Sequence, residues 1–303
     1  GGSLPRAGTC AILRGVNDVI VSPAWDRLGA EDLLGTIMVI GDSDTGKSTL
    51  ARYLFQQLTR LGRRAAYLDL DVGQSCLGLP TTLTLVLAAA AGEDGFPPRG
   101  KRVSFFVGAT TPRGHMLPAV VGAYRLRERG RQLGAEVIVV DTTGLVDEAQ
   151  GGKALKQWKI ELLAPGLVVG VQHSRELEPI LWPLRRDGRV RVVELPVSPH
   201  VRQLSRQARI DHRRERLARY FEKGRARTLH LKQVAVYNLE RLANASLLAF
   251  QDVDGFVLEL GVVQEIDRRA GRLTVHSPLQ DPGQAASVRV GTLRWNLAQR
   301  REL

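Results

Sequence analysis

The chain has 303 residues, of which 44% are apolar and 24% charged, which is typical of a globular protein with one large and one smaller domain. No apolar run is long enough to span a membrane, and the N-terminus lacks a signal-peptide pattern, so the sequence predicts neither membrane insertion nor secretion. Cys10 and Cys76 are too few for a disulfide framework or a four-ligand zinc site, which predicts a cytoplasmic protein.

Segments typical of strands and helices alternate through the first two thirds of the chain. Strands are predicted over 36–40, 65–70, 103–107, 137–140, 167–171 and 189–195, and helices over 48–61, 116–133, 152–163 and 174–184. This rhythm is typical of the α/β class, with a mostly parallel sheet flanked by helices on both faces.

The pattern changes after about residue 224, where short β-type runs separated by turn signals replace the alternation. The runs are 228–237, 246–250, 256–266, 272–275 and 287–293. We therefore predict an N-terminal extension over 1–24, an α/β domain over 25–224 and a small C-terminal all-β domain over 225–303.

Residues 41–48 read G-D-S-D-T-G-K-S and match the phosphate-binding loop G-x-x-x-x-G-K-[ST] between a predicted strand and a predicted helix. Glycines let backbone amides turn towards phosphate, and the helix N-terminus adds positive charge. Lys47 is expected to reach the β- and γ-phosphates, and the Ser48 hydroxyl to ligate Mg²⁺. The sequence thus predicts a P-loop NTPase fold that binds ATP and Mg²⁺ through Gly41, Asp42, Ser43, Asp44, Thr45, Gly46, Lys47, Ser48 and Thr49.

Acidic residues end two of the predicted strands. Phosphoryl transfer needs a carboxylate near the metal and often one near the attacking hydroxyl. Alternation predicts that Asp69 and Asp71 point to the same side, and Gln74 is suited to orienting a hydroxyl or a metal-bound water. Asp141 is the second candidate. Aspartate at a strand end is also a common turn former, so the P-loop is what favours a functional role for these residues.

Residues 201–232 hold 11 Lys or Arg against 3 Asp or Glu, which is a net +8 of the chain's net charge of +12, and five of these arginines form a stripe. The stripe is Arg202, Arg206, Arg209, Arg213 and Arg216, which lie on one face of a helix at steps of four and three residues. Because the guanidinium fork suits phosphate, the stripe predicts a lid that closes on the γ-phosphate and on a nucleic-acid strand. A solvated helix face paired with acidic groups is the alternative interpretation.

Together these motifs resemble the polynucleotide 5′-hydroxyl kinases of the mRNA-cleavage-complex and ribosomal-RNA-processing type. The resemblance covers roughly residues 25–295, and it rests on five features. They are G-D-S-D-T-G-K-S-T at 41–49, D-L-D-V-G-Q at 69–74, T-T-P-R-G-H at 110–115, D-T-T-G at 141–144 and the arginine-rich segment ending in Tyr220-Phe221. It implies transfer of the ATP γ-phosphate to the 5′-hydroxyl end of single-stranded RNA or DNA.

The resemblance also implies roles for single residues. Asp71 is the base that takes the hydroxyl proton and, with Ser48, is expected at the metal, while Gln74 helps to hold the site. Thr142, Thr143 and Gly144 act as a clasp on the substrate end. The arginines of the stripe form the lid, with Arg206 and Arg209 as its first catalytic candidates and Arg213 as a substrate-binding one. Leu145 follows the clasp where many relatives carry tryptophan, which favours recognition of the nucleic-acid backbone rather than its bases.

Other functions remain open at this point. A nucleotide-switch ATPase or GTPase acting on a protein would use the same loop, although the Asn-Lys-x-Asp guanine motif is absent. A small-molecule kinase explains the basic segment less well, and the intact Lys47, Ser48 and Asp71 speak against an RNA-binding protein with a degenerate loop. The sequence leaves RNA-versus-DNA preference and oligomeric state open. As a hypothesis from adjacency alone, the β domain braces the lid helix.

Overall fold

A computed structural model describes residues 20–29, 33–90 and 95–303. Most of the expected extension over 1–24 lies outside the described residues, as does Cys10. The described chain opens with a 3-10 helix, Pro23–Leu28, and the Ser22 hydroxyl accepts the Ala24 amide at its start. None of the helices in the described ranges is long and apolar enough to cross a membrane.

The first sheet has seven strands in the order β4-β3-β2-β5-β1-β6-β7. The strands are β1 (Gly35–Gly41), β2 (Ala65–Asp69), β3 (Thr82–Ala88), β4 (Gly100–Phe106), β5 (Val137–Asp141), β6 (Leu167–Gln172) and β7 (Arg191–Pro196). Strands β2, β5, β1, β6 and β7 run parallel to one another. At the β2 edge, β3 pairs antiparallel with β2, and β4 pairs antiparallel with β3. The predicted mostly parallel sheet is confirmed. Strand β3, which the sequence analysis missed, is buried along its whole length.

Five helices belong to this region: α1 (Lys47–Arg60), α2 (Met116–Gln132), α3 (Gly152–Leu163), α4 (Glu178–Asp187) and α5 (Arg206–Phe221). Helix α1 packs on one face of the sheet and α2, α3 and α4 on the other, so that two apolar layers enclose the strands. The prediction of a helix over 174–184 was wrong at its start. The Glu176 carboxylate accepts the amides of His173 and Ser174 at 2.7 and 3.0 Å, which makes a turn before the helix begins.

The C-terminal region forms a separate and mainly antiparallel sheet, which confirms the predicted all-β unit. Its strands are β8 (Arg225–His230), β9 (Ala235–Tyr237), β10 (Ser246–Gln251), β11 (Val257–Asp267), β12 (Arg272–Ser277), β13 (Ser287–Asn296) and β14 (Arg301–Glu302). The order is β14-β13-β10-β11-β12-β8, with β9 parallel to β13. The run predicted as one strand over 228–237 is therefore two strands, β8 and β9, which pair with different neighbours.

The two sheets and the end of α5 share one apolar cluster. It contains Phe106 of β4, Leu217 and Phe221 of α5, and Leu247, Leu260 and Trp295 of the β domain. The backbones also meet directly, because the Thr292 and Leu293 amides donate to the Gly108 carbonyl at 2.9 and 3.2 Å. These contacts fit the expected brace, since they hold the C-terminal half of α5 between the two sheets.

Candidate active site

The predicted phosphate-binding loop lies between the end of β1 and the start of α1. Asp44 and Gly46 adopt left-handed backbone angles, with φ of 55° and 81°. The Asp42 carbonyl accepts the Thr45 hydroxyl at 2.9 Å and the Lys47 ammonium at 3.3 Å. The loop is thus closed by its own residues, and the N-terminus of α1 faces the space where phosphate would bind.

Asp141, at the end of β5, lies beside this loop because β5 pairs with β1. Its carboxylate accepts the Tyr67 hydroxyl at 3.1 Å and lies near Ser48, which acts on its pKa. Burial raises the pKa of Asp141 to about 7 and the nearby Asp69 adds to this, while Lys47 and Ser48 lower it.

The predicted metal set, Ser48 and Asp71, stays a prediction, and Asp141 is a further carboxylate near Ser48. Within the described ranges, the Oδ1 atom of Asp141 is buried without a hydrogen-bond partner. A serine hydroxyl and an aspartate oxygen at the end of the neighbouring strand are the donor types that Mg²⁺ prefers in P-loop proteins. The signal in the sequence was the position of Asp141 at the end of its strand.

Asp69 is the last residue of β2 and Asp71 follows it by two positions, and the two carboxylates have different surroundings. Asp69 is buried and accepts four hydrogen bonds at 2.7 to 3.1 Å, from Ser75, Cys76, Leu77 and Asp71. It therefore organises the loop. Asp71 is half-buried; its Oδ1 accepts the Gly73 and Gln74 amides at 2.9 and 2.8 Å, and no hydrogen bond from the described residues reaches its Oδ2.

Helix α5 joins the phosphate-binding loop to the Asp71 loop. The Arg209 guanidinium pairs with Asp44 at 2.5 Å, and the Gln74 amide nitrogen donates to the Arg209 carbonyl at 3.2 Å. The Ser205 hydroxyl caps the helix by accepting the Ala208 amide at 3.1 Å. Arg206, the first residue of α5, is exposed.

Arg202, Arg213 and Arg216, the other arginines of the stripe, differ from Arg209 in their position or in their partners. Arg202 precedes α5, so the stripe on the helix starts at Arg206. Arg213 Nε donates to Glu302 at 3.3 Å, and the half-buried Arg216 guanidinium donates to the carbonyls of Ser75 and Gly78. Arg209 and Arg213 therefore pair with acidic groups, as the alternative interpretation expected, and Arg216 supports the loop that follows Asp71.

The predicted clasp residues pack directly on the phosphate-binding loop. A Cβ on Gly144 would lie 2.5 Å from Ser43 Oγ, so only glycine fits there. The Thr142 hydroxyl donates to the Val39 carbonyl at 2.9 Å, which ties the clasp to β1. The Thr143 hydroxyl is buried and has no partner among the residues described.

Helix α3 buries two lysines that the sequence pattern did not indicate, Lys156 and Lys159, and Lys156 supports the clasp. Lys156 Nζ donates to the Thr142 hydroxyl at 2.8 Å and to the Thr143 carbonyl. Burial lowers the pKa of both lysines, and that of Lys159 to about 8. We call Thr142, Thr143, Gly144, Lys156 and Lys159 the clasp wall.

A phosphate-binding loop, carboxylates at strand ends and an arginine-bearing helix, on a mostly parallel sheet, define a P-loop phosphotransferase. The chain belongs to the family described as mRNA cleavage and polyadenylation factor CLP1 P-loop, whose model matches residues 41–223. Its fold resembles the wild-type Clp1p chain in a Clp1p–Pcf11p complex, with a TM-score of 0.66 and 13% identity over 89% of this chain and 77% of that one.

Curated relatives carry enzyme names. A polyribonucleotide 5′-hydroxyl-kinase of Pyrococcus horikoshii is 28% identical over 89% of each chain. Another, of Pyrococcus furiosus, is 35% identical over 66% of this chain and 54% of its own length. The polyribonucleotide 5′-hydroxyl-kinase Clp1 of Danio rerio is 33% identical over 61% of this chain and 43% of its own.

Proposed function

We propose that this protein is an ATP-dependent polynucleotide 5′-hydroxyl kinase that phosphorylates single-stranded RNA. The observation that carries the proposal is the double contact of Arg209, which pairs with Asp44 of the phosphate-binding loop and accepts a hydrogen bond from Gln74. The donor loop, the loop of the acceptor carboxylate and the arginine helix thus meet at one residue. The enzyme names of the relatives support the same activity.

On the donor side, the amides of residues 41–49 and Lys47 hold the ATP phosphates. Ser48 and Asp141 would hold Mg²⁺, which when bound neutralises charge on the phosphates. Asp71, the originally expected metal partner, stands nearer the acceptor side in this proposal. Arg209 leaves Asp44 and takes the γ-phosphate, because a triphosphate is the stronger anionic partner for a guanidinium fork.

On the acceptor side, Asp71 is the general base. Its Oδ1 is fixed by two backbone amides, so Oδ2 is left to accept the proton of the 5′-hydroxyl. Gln74 holds Arg209 over the reacting groups, Thr142, Thr143 and Gly144 hold the strand end, and Arg206 and Arg213 contact the phosphates that follow.

The test uses γ-labelled ATP, Mg²⁺ and matched RNA and DNA oligonucleotides with a 5′-hydroxyl. We expect label at the RNA 5′ end, with less on DNA and none on a 5′-phosphorylated strand. Lys47→Ala and Asp71→Asn should each reduce transfer by about a thousandfold or more, because each removes a group required in the transition state.

A binding control separates catalysis from folding, and two outcomes would contradict parts of the proposal. Asp71→Asn should bind ATP as the unmodified protein does, since it alters only the acceptor side. ATP hydrolysis without label on any oligonucleotide would overturn the proposal in favour of a nucleotide switch that acts on a protein. Transfer that survives in Asp71→Asn would remove Asp71 as the base while leaving the kinase activity established.

A further inference from the structure

Helix α3 buries two lysine side chains and exposes a tryptophan. Lys156 and Lys159 are 0% and 1% exposed, whereas Trp158 between them is 63% exposed. Apolar burial normally drives helix packing, and lysine is almost never fully buried without a partner. The helix also buries Leu155, Ile160 and Leu163, so the two lysines are buried together with its apolar face while the tryptophan stays outside.

The hydrogen bonds of the two lysines leave donors unused. Lys156 donates to two acceptors of the clasp and has one N–H left. Lys159 Nζ is buried and has no hydrogen-bond partner in the part of the chain described. With a pKa of about 8, Lys159 is mostly protonated at neutral pH, so the clasp wall carries an ammonium with no partner.

The position of these lysines points to the acceptor rather than to ATP. Helix α3 packs on the face of the sheet opposite α1, whose N-terminus faces the ATP phosphates. Lys156 contacts the clasp through Thr142 and Thr143, and the charges of Lys47 and Asp71 both act on it. On Lys159, one turn further along the helix, the charge that acts is that of Asp71, so Lys159 lies on the side of the acceptor carboxylate. In an acceptor strand, one ribose separates the attacking O5′ from the first internucleotide phosphate, which brings that phosphate near Asp71 as well.

We propose that Lys159, with the remaining N–H of Lys156, forms a subsite for the first internucleotide phosphate of the acceptor strand. This inference rests on the proposed kinase function and names, within it, the residues that contact the first phosphate of the strand. The flexible four-carbon stem of Lys159 lets the ammonium turn to an incoming phosphate. Lys156 is the positioning residue, because it holds Thr142 and Thr143.

The test is a double-modification cycle, in which the Lys159 side chain and the charge of the first internucleotide phosphate are removed separately and together. The acceptor is a 5′-hydroxyl oligoribonucleotide with its natural linkages or with one neutral methylphosphonate at the first linkage. Lys159→Met is compared with the unmodified protein and with Lys153→Met. Lys153 lies on the same helix and pairs with Glu148 at 2.9 Å outside the site, so it is the matched control.

The unmodified protein and Lys153→Met should lose about tenfold to a hundredfold in kcat/KM when the first linkage is neutral, as expected for one charged hydrogen bond. Lys159→Met should show that loss on the natural strand and almost no further loss on the neutral one. A methylphosphonate at the third linkage should act equally on all three proteins. An equal first-linkage penalty in Lys159→Met and the unmodified protein would overturn the subsite.

The same cycle in strand dissociation constants, measured by fluorescence anisotropy, needs no phosphoryl transfer. Coupling in binding without transfer would support the subsite and contradict the kinase. Transfer without coupling would support the kinase and contradict the subsite. Lys159→Met is expected to fold, and an unchanged dissociation constant for ATP checks this.

Discussion

The phosphate-binding loop and the clasp wall meet at the same end of the first sheet, but they satisfy their polar groups differently. In the loop, the Asp42 carbonyl accepts the Thr45 hydroxyl and the Lys47 ammonium within five residues. The clasp wall joins Thr142 to Val39, which is 103 residues away, and to Lys156 on another helix. Even so, buried polar atoms of Thr143, Lys159 and the adjacent Asp141 have no partner in the described ranges.

This difference indicates that the loop makes its hydrogen bonds within itself, whereas the clasp wall needs a ligand to complete its hydrogen bonds. The loop is a closed local structure that exists before ATP arrives. On the acceptor side, the buried Thr143 and Lys159 atoms without a partner each cost about 1–3 kcal/mol of folding free energy. Local destabilisation of this kind is typical of a binding site, because the missing hydrogen bonds are made when the ligand binds.

The largest expected effect is on the loop side, at Arg209. Arg209→Ala should lower kcat by about a thousandfold, as for arginines that stabilise the charge of the transferring phosphoryl group, and ATP affinity should change much less. Single-turnover transfer and ATP binding measure the two effects. Arg219→Ala is the control, because Arg219 lies on the same helix, is 71% exposed and pairs with Glu215. If Arg209→Ala were as active as Arg219→Ala, Arg209 would only hold the lid closed and would not stabilise the transferring phosphoryl group.

A second prediction concerns stability on the acceptor side. Burial lowers the pKa of Lys159 from its ordinary 10.5 to about 8. Between these values the unfolded chain binds more protons than the folded one, so this group makes stability rise with pH from about 8 to 10.5. Lys159→Met should therefore be more stable at pH 7 by an amount on the order of 3 kcal/mol, and the gain should vanish by about pH 10.5.

Urea unfolding of the two proteins from pH 7 to 10.5 measures this difference. Greater stability together with lower kinase activity would separate the function of Lys159 from the fold. A variant less stable at pH 7 would instead mean that the ammonium has a stabilising partner. Such a result would also weaken the comparison between the two sides of the site.

The same contrast explains what could be predicted from the sequence. Residues 41–49 form one local motif, so spacing alone predicted the loop, and the alternation of strands and helices predicted the sheet. In contrast, Lys156 and Lys159 recur every three residues with Lys153, as on a solvated helix face. Their burial depends on how α3 packs against the clasp, and a helical pattern does not contain that information.

Asp141 and the arginine stripe illustrate the same limit. The sequence placed Asp141 at a strand end, but only the β1–β5 pairing brings it to Ser48. The stripe was predicted as one lid, yet Arg209 faces the loop and Arg216 supports the Asp71 loop through Ser75 and Gly78. Helical spacing gives the common face, while the partners along that face come from distant segments.

The smallest expected effect concerns Arg213, predicted to bind substrate but paired with Glu302 across 3.3 Å. The two side chains are 17% and 26% exposed, so Glu302→Gln should cost less than about 1 kcal/mol of stability. Because the change releases Arg213 to the strand, the KM for a 5′-hydroxyl RNA should fall about twofold to threefold, most clearly at low salt.

Arg213→Ala is the matched variant. It should raise the KM for the strand, and adding Glu302→Gln to it should then change nothing, because the carboxylate acts only through Arg213. If Glu302→Gln raises the KM as Arg213→Ala does, the ion pair positions the lid and Arg213 is not a strand contact. Strand phosphates would then be contacted by Lys159 and Arg206 without Arg213, and Lys159→Met should cause a larger loss of strand affinity than Arg213→Ala.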